Sequence, residues 1–509
     1  MATIIGTDGQ DRLRGTGEAD RILGLGGHDD IDGGAGDDIV DAGDGHDVVT
    51  SSSGYDYLNG GDGIDRLVLV GTGGVVDGGA SHDGLVIDAS AATGDSLFDA
   101  TAGYGVIGSA SGPAQQILFQ NIEWAAVTTG SGNDTVTAGN LTRLIANTGA
   151  GDDVLRGGAD ADDLAGGDGD DDIEGGDGAN VLIGGAGNDR IIGGASYDRM
   201  EGDDGDDVMF AGGGRDSVHG GAGNDYLNGG AGNDIMDGGP GDDLLKGGAG
   251  DDTISSGQGR DIIDGGAGND TLSHLLLYST EPGPATINGG TGDDSIRADV
   301  GDTVNGGDGS DRLLFGMGDL PGPLVFDAAQ GWLPGGPTYA SIEAFSLETG
   351  AYDDRLLGAG GDDRFSTLAG DDLLDGRGGA DELIAGFGDD RLIGGDGDDR
   401  LRADEGTDLL SGGAGADQFH WSVSYDTNET LDRVTDFDPA AGDVISFLVD
   451  ANGDLASIRD YDDFLAASRD TEAGVMVTLE GFQDGAILLE GVSLAEFSPD
   501  NLLFTAIDF

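Results

Sequence analysis

Gly229-Gly230-Ala231-Gly232-Asn233-Asp234-Ile235-Met236-Asp237 decides how the rest of this chain reads. The stretch is a nine-residue block of the form G-G-x-G-x-D-x-U-x, where U is apolar. Read outward in both directions, its phase holds without a slip through fourteen blocks, residues 148–273. Two further runs repeat it, seven blocks over 6–68 and eight over 349–420. Every one of these blocks is apolar at its eighth position, from Leu13, Ile22 and Ile31 through to Phe419. Only 37% of the residues are hydrophobic, so chance does not produce this. A fixed short period is the mark of a repeat architecture.

The sixth position carries a carboxylate. In the first run it is Asp11, Asp20, Asp29, Asp38, Asp47, Asp56 and Asp65. In the second it is Asp153, Asp162, Asp171, Asp189, Asp198, Asp207, Asp216, Asp225, Asp234, Asp243, Asp252, Asp261 and Asp270, with Asn180 standing in once. In the third it is Asp354, Asp363, Asp372, Asp381, Asp390, Asp399, Asp408 and Asp417. Asp134 lies in a degenerate stretch, 129–147, and Asp294 and Asp311 in two isolated blocks, 289–297 and 306–314. All of these aspartates are candidate metal ligands. Glycines at positions one, two and four let the chain turn tightly and aim carbonyl oxygens at one point. Carboxylate and carbonyl oxygens together suit calcium, which takes six to eight hard oxygen ligands in flexible geometry. Zinc prefers Cys or His; Cys is absent and the six His are scattered. Magnesium demands a tighter octahedron. Positions seven to nine read as a short strand with U inward. Two blocks then make one coil, with strands pairing along the axis about 4.8 Å apart.

At this spacing the sequence resembles the RTX, or haemolysin-type calcium-binding, repeat family. Gly33-Gly34-Ala35-Gly36-Asp37-Asp38-Ile39-Val40-Asp41 matches the motif in full, as does the block at 229. The resemblance covers roughly three-fifths of the chain as repeats. It implies an all-β fold, a calcium-loaded parallel β-roll or β-solenoid. Multiple calcium ions would sit between turns of successive coils, held by the position-six aspartates and by glycine-turn carbonyls. Gly412–Phe419, Val434-Thr435-Asp436-Phe437 and Ile487-Leu488-Leu489-Glu490-Gly491-Val492 resemble the family's cap and secretion segment. That likeness implies export by a Gram-negative-type type I secretion machinery, read from the uncleaved apolar tail Asn501–Phe509. Blocks that depart from the pattern, with Asn180 at position six or Tyr352, Ser196 and Glu18 at position four, are expected to bind weakly or not at all.

With 22 Lys and Arg against 99 Asp and Glu, the net charge is −77. Such a chain does not neutralise a nucleic-acid backbone and is repelled by anionic membrane surfaces. It attracts cations. With 104 Gly and few aromatics, the metal-free chain has the composition of a disordered polymer. The start, Met1-Ala2-Thr3-Ile4-Ile5, shows neither a basic nor a long apolar segment, so no cleaved leader is expected. No apolar run reaches the roughly 18 residues of a membrane span.

The expected organisation is a first array over 1–68, a β insert without calcium over 69–128, and a long array over 129–273. A break with short blocks follows over 274–314, then a second insert over 315–348, a third array over 349–420 and a C-terminal cap over 421–509. The inserts look duplicated: Leu85-Val86-Ile87-Asp88-Ala89 answers Leu324-Val325-Phe326-Asp327-Ala328, and Ile122-Glu123 answers Ile342-Glu343. Their strands are expected to continue the solenoid. Within the cap, 458–468 reads as one short helix.

No His-Glu-x-x-His and no Gly-x-Ser-x-Gly occurs. Gly108-Ser109-Ala110-Ser111-Gly112 places Ala where a nucleophile belongs. No enzyme is expected. Arg recurs at the outward seventh position, at 12, 21, 190, 199, 355, 364, 391 and 400, and reads as surface charge balance. Trp124, Trp332 and Trp421 lie outside the arrays and read as core; Trp332 is the one candidate for a sugar platform. His274-Leu275-Leu276-Leu277-Tyr278 reads as a buried strand. With repeats beginning at residue 6, no enzymatic or pore-forming head is expected before them. The leading reading is a secreted, extracellular or surface structural protein that self-associates into a layer, filament or matrix. A second is an adhesin whose inserts contact a cell-surface glycan or protein. A third, a calcium-dependent channel-former, fits poorly because no membrane-inserting segment is apparent.

Overall fold

A computed structural model describes residues 1–109, 113–274, 283–317, 322–422, 430–450, 458, 460–479 and 485–507. Two compact units divide the chain, Met1–Gly268 with His274–Gly283, and Asn269–Ser273 with Pro284–Phe509. Each is an all-β, mostly parallel solenoid. The first unit shows the rule best. Strand Tyr226–Ala231 pairs in parallel with Val208–Gly213 on one side and Leu244–Ala249 on the other. Ser217–Ala222 and Ile235–Pro240 pair in a different sheet. Consecutive strands therefore alternate between sheets, and each residue stacks on the one eighteen positions away, as Val208, Tyr226 and Leu244 do. One coil is two blocks.

The eighth-position side chains fill the narrow space between the sheets. Leu227, Leu245 and Ile263 are fully buried from one sheet, and Val218, Met236 and Ile254 nearly so from the other. Period-two alternation along each strand turns both neighbours of U outward. The position-seven arginines at 12, 21, 190, 199, 355, 364, 391 and 400, and Arg66 with them, are exposed for this reason.

Turns stack as closely as strands. Gly230 and Gly232 take φ of 101° and 134°. A Cβ at either would overlap the carbonyl of Gly212 or Gly214 in the preceding coil. Four non-glycine residues at position two share this left-handed conformation: Leu25 (φ 78°), Asp203 (75°), Arg377 (72°) and Asp404 (68°), at roughly 1–2 kcal/mol each.

The coil does not stop at residue 68. Val76 stacks on Leu58 and Leu85 on Leu67, still eighteen apart. Beyond Asp88 the chain inserts Leu97–Asp99 and Tyr104–Ile107, which pair antiparallel, and Tyr104–Ile107 pairs antiparallel with Gln115–Gln120 as well. Gln115–Gln120 and Trp124–Thr128 then lie parallel on Gly73–Ala80 and Gly84–Asp88, so these strands do continue the solenoid. Residues 110–112 of the degenerate Gly-Ser motif lie outside the described residues.

In the second unit the core widens around an aromatic cluster. Phe326 meets Phe345 edge-on at 5.1 Å, and Tyr339 meets Phe345 at 4.9 Å. Trp421 is buried and Trp124 half-buried, but Trp332 is 47% exposed, so core packing does not describe it. In the cap, the expected helix is shorter, Tyr461–Ala467, started by Asp460, whose carboxylate accepts the Asp463 N–H at 2.9 Å. Residue 459 lies outside the described residues. Leu502–Ile507 adds in parallel to Val444–Asp450, so the tail is a cap strand up to residue 507. Of the His274–Tyr278 run only His274 is described.

Candidate metal centre

Each position-six aspartate sits where a glycine turn enters a strand, and the alternation aims its side chain inward. Of the thirty-one candidates, all but the half-buried Asp11 are at most 3% exposed. Within each unit they form two ladders, one on each column of turns. In one, the N–H of Asp198 donates to Asp216 Oδ1, Asp216 to Asp234 and Asp234 to Asp252, at 2.7–2.8 Å. In the other, Asp189, Asp207, Asp225, Asp243 and Asp261 are joined in the same way at 2.8–3.0 Å. One carboxylate oxygen thus knits each coil to its neighbour.

The second oxygen is left over. Oδ2 of Asp189, Asp207, Asp216, Asp225, Asp234 and Asp243, and in the second unit of Asp381, Asp390, Asp399 and Asp417, is sealed from solvent without a hydrogen-bond partner. A bare buried carboxylate oxygen is costly. Its surroundings are oxygen too. The place a Cβ would take at Gly229 lies 2.5 Å from Asp234 Oδ2 and 2.8 Å from the Gly247 carbonyl oxygen of the next coil. Position one must be small because a side chain there enters this cradle. Among the described residues no three His, Cys, Asp or Glu side chains converge as a metal site. A cation held here would take carboxylate and backbone carbonyl oxygens, a donor set that fits calcium. Burial and neighbouring carboxylates push Asp207, Asp216 and Asp243 up to about 7, and Asp381 and Asp408 to about 8. A divalent cation would restore the charged form.

Not every rung is of this kind. Asp11 Oδ2 accepts the N–H of Thr7, and Asp20 Oδ2 that of Thr16. Asp162 and Asp363 accept those of Gly158 and Ala359 at 2.6 and 2.8 Å. The donor in all four is position two, and none of these four residues has the left-handed φ of Gly230. Leu368, also at position two, is not left-handed either and leaves Asp372 Oδ2 bare, but in these four blocks the position-two N–H turns onto the carboxylate of its own block. At Asp56 the Ser51 hydroxyl does the same. Position four does not separate the sites in this way: beside Ser196 and Tyr352, Asp198 and Asp354 keep a bare Oδ2. Asn180 is an uncharged rung, accepting the Asp162 N–H at 2.9 Å.

Several rungs escaped the sequence reading. Asp83, fully buried, accepts the Asp65 N–H at 2.8 Å and keeps a bare Oδ2. It is position six of Gly78-Gly79-Ala80-Ser81-His82-Asp83, hidden because Ser81 replaces glycine, although Ser81 still takes φ 124°. Asp302 accepts the Ala285 N–H at 2.7 Å from a block one residue short. Glu123 and Glu343 accept the N–H groups of Asp83 and Asp311. In the cap, Asp432 accepts from the Asp408 N–H, and the Trp421 indole donates to its Oδ2 at 2.9 Å. Asp443 accepts from the Asp417 and Asp438 N–H groups.

These two classes of rung separate under mutation. Asp207→Ala is expected to remove one equivalent of calcium at saturation in calorimetric titration, while Asp363→Ala leaves the stoichiometry unchanged. Equal losses would show that both carboxylates bind. The pH dependence of the metal-free fold follows from the raised carboxyls. With folded values of about 7 to about 8 and an unfolded value near 3.8, the folded chain holds more protons across that window. Stability is therefore fully present below about pH 4 and is lost as pH rises through about 7. In chelator, β-type circular dichroism is expected near pH 5 and coil at pH 8; β content that grew with pH would contradict the burial of these groups.

The repeat segments match the family described as RTX calcium-binding nonapeptide repeat (4 copies), over residues 5–67, 145–272, 282–319 and 348–419. No curated protein matches the chain. Among solved structures, the extracellular lipase LipA from Serratia marcescens is similar at 19% identity over 64% of this chain, with a TM-score of 0.11. The chain spans 40% of the length of that lipase. With the family match covering about three-fifths of its residues, the chain belongs to the RTX calcium-binding nonapeptide repeat family.

Proposed function

We propose that this chain is a secreted, calcium-loaded β-solenoid with a structural, non-catalytic role, folded by the cation and self-associating outside the cell. The observation that carries the reading is the two ladders of buried carboxylates with a bare second oxygen. A core one side chain wide cannot offset that much buried charge, so the free energy of metal binding becomes free energy of folding. Self-association is supported by the outer face of the first unit. There Ile39, Tyr57, Val75 and Leu118 stack in one outward column, and Ile39, Tyr57 and Leu118 are 41–45% exposed. Contiguous exposed apolar surface of this kind marks interaction sites. A second reading, an adhesin acting through the inserts, is favoured by the exposure of Trp332 and Val325 in the second one.

Circular dichroism of the full chain is expected to be coil-like in chelator at pH 8 and β-type in millimolar calcium, with site affinities of roughly 10⁻⁴–10⁻³ M. Electron microscopy of the calcium-loaded protein should then show layers or filaments that disperse in chelator. Monomers that bind glycans would instead identify the adhesin, and a chain fully folded in chelator would remove the calcium coupling.

Affinity in that range keeps the chain unfolded at cytosolic calcium and folds it outside. Export through a type I machinery reading the C-terminal segment fits this order. Deletion of 450–509 is expected to trap the protein in cells while the repeats of 148–273 still bind calcium, since coils depend mainly on their neighbours. Continued export of the truncated chain would reject the route.

A further inference from the structure

The rung at Asp261 is built differently from the others. In the next coil, eighteen residues beyond Ser256, position one is His274. Position one elsewhere is glycine or another small residue, because a side chain there enters the cradle beside the carboxylate. Here an imidazole occupies that space. His274 and the Asp261 side chain are both fully buried, and Nε2 lies 3.6 Å from Oδ2. Ser256, at position one of Asp261's own block and also fully buried, has a hydroxyl without a hydrogen-bond partner.

We infer that this rung takes a single divalent cation of the zinc class in place of calcium, bound by His274 Nε2 and Asp261 Oδ2. The separation of 3.6 Å is longer than the roughly 2.7–3.2 Å of an N–H···O hydrogen bond. It is close to the about 3.3 Å between two ligands that each sit about 2.0–2.1 Å from one tetrahedral ion. An imidazole nitrogen beside a carboxylate is a mixed N/O donor pair. It suits borderline ions such as zinc, whereas calcium takes oxygen. The Ser256 hydroxyl and water complete the coordination. Burial of both ligands sets this pair apart from His219 and Asp237, which approach to 3.4 Å but are each about half exposed. The two ligands come from different coils, thirteen residues apart, so no local motif marks the pair.

Zinc titration of the full-length protein in excess calcium tests this, followed by calorimetry. The calcium background occupies the oxygen-only sites, and the zinc signal is read whether or not calcium drives folding. Wild type is expected to bind one zinc ion per chain tightly. His274→Gln and Asp261→Asn should each weaken that event at least about tenfold, the loss that even an outer-shell partner causes, and His219→Ala should leave it unchanged. His274→Gly, which restores the small position-one residue, should lose zinc and gain one calcium. Circular dichroism in calcium checks that each variant is folded. Zinc absent from wild type, or binding that survives His274→Gln, overturns the assignment and leaves the imidazole as a plain partner of the carboxylate.

Discussion

The bare second oxygen of ladder aspartates such as Asp207, Asp216 and Asp234 is the constraint on which the rest of the structure depends. Its first oxygen is committed to the backbone of the neighbouring coil, so the carboxylate cannot swing out to water. Its burial follows from the tight stacking of turns, which only glycine-like backbone permits at Gly230 and Gly232. The apolar core cannot offset the cost, because it admits one side chain per block. Surface arginines do little more. Arg12 with Asp30 and Arg190 with Asp172 are exposed pairs, and such pairs contribute at most about 1 kcal/mol. What remains is a cation in the cradle, or a proton.

Where the second oxygen is not bare, the chain supplies its own donor, and it does so at the ends of arrays and beside the inserts. Thr7 and Thr16 close the first two rungs, and the Trp421 indole and the Asp438 N–H close the last two. The inserts arrive at one solution twice. Glu123 and Glu343 each stand in for the next aspartate, and the following rungs, Asp162 and Asp363, are each satisfied by a position-two N–H. This shared wiring supports the duplication suggested by Ile122-Glu123 and Ile342-Glu343. Each unit therefore carries a self-satisfied junction between stretches that call for metal.

Much of the fold was legible because a solenoid coil is a local object. The apolar eighth position predicts the core at Leu227, Leu245 and Ile263, and the sixth predicts the ladders. The failures have particular causes. Asp83 was lost because the repeat was read as ending at residue 68, with Ser81 in place of the position-four glycine, yet the backbone holds Ser81 at the same positive φ. Asp302 was lost to a one-residue deletion. The difference between Asp162 and Asp171 was illegible, because both blocks carry Gly-Gly; only the φ of Gly158 against that of Gly167 separates them. The antiparallel strands after Asp88 and the exposure of Trp332 depend on contacts distant in sequence, which a period does not encode.

The ladder also makes neighbouring sites interdependent. The N–H of Asp216 is held by Oδ1 of Asp234, and that of Asp234 by Oδ1 of Asp252. A cation that fixes the Asp234 carboxylate through Oδ2 therefore also fixes the acceptor that orients the backbone of the Asp216 turn. Each filled rung lowers the ordering cost of the rung before it. Nearest-neighbour coupling of this kind gives a repeat array its cooperativity. It runs through hydrogen bonds of 2.8 Å rather than through the thin core. A self-satisfied rung such as Asp363, which already donates to Asp381 Oδ1 at 2.7 Å, keeps the chain of hydrogen bonds intact without a cation. Such rungs carry order across the inserts, where a missing site would otherwise break the array.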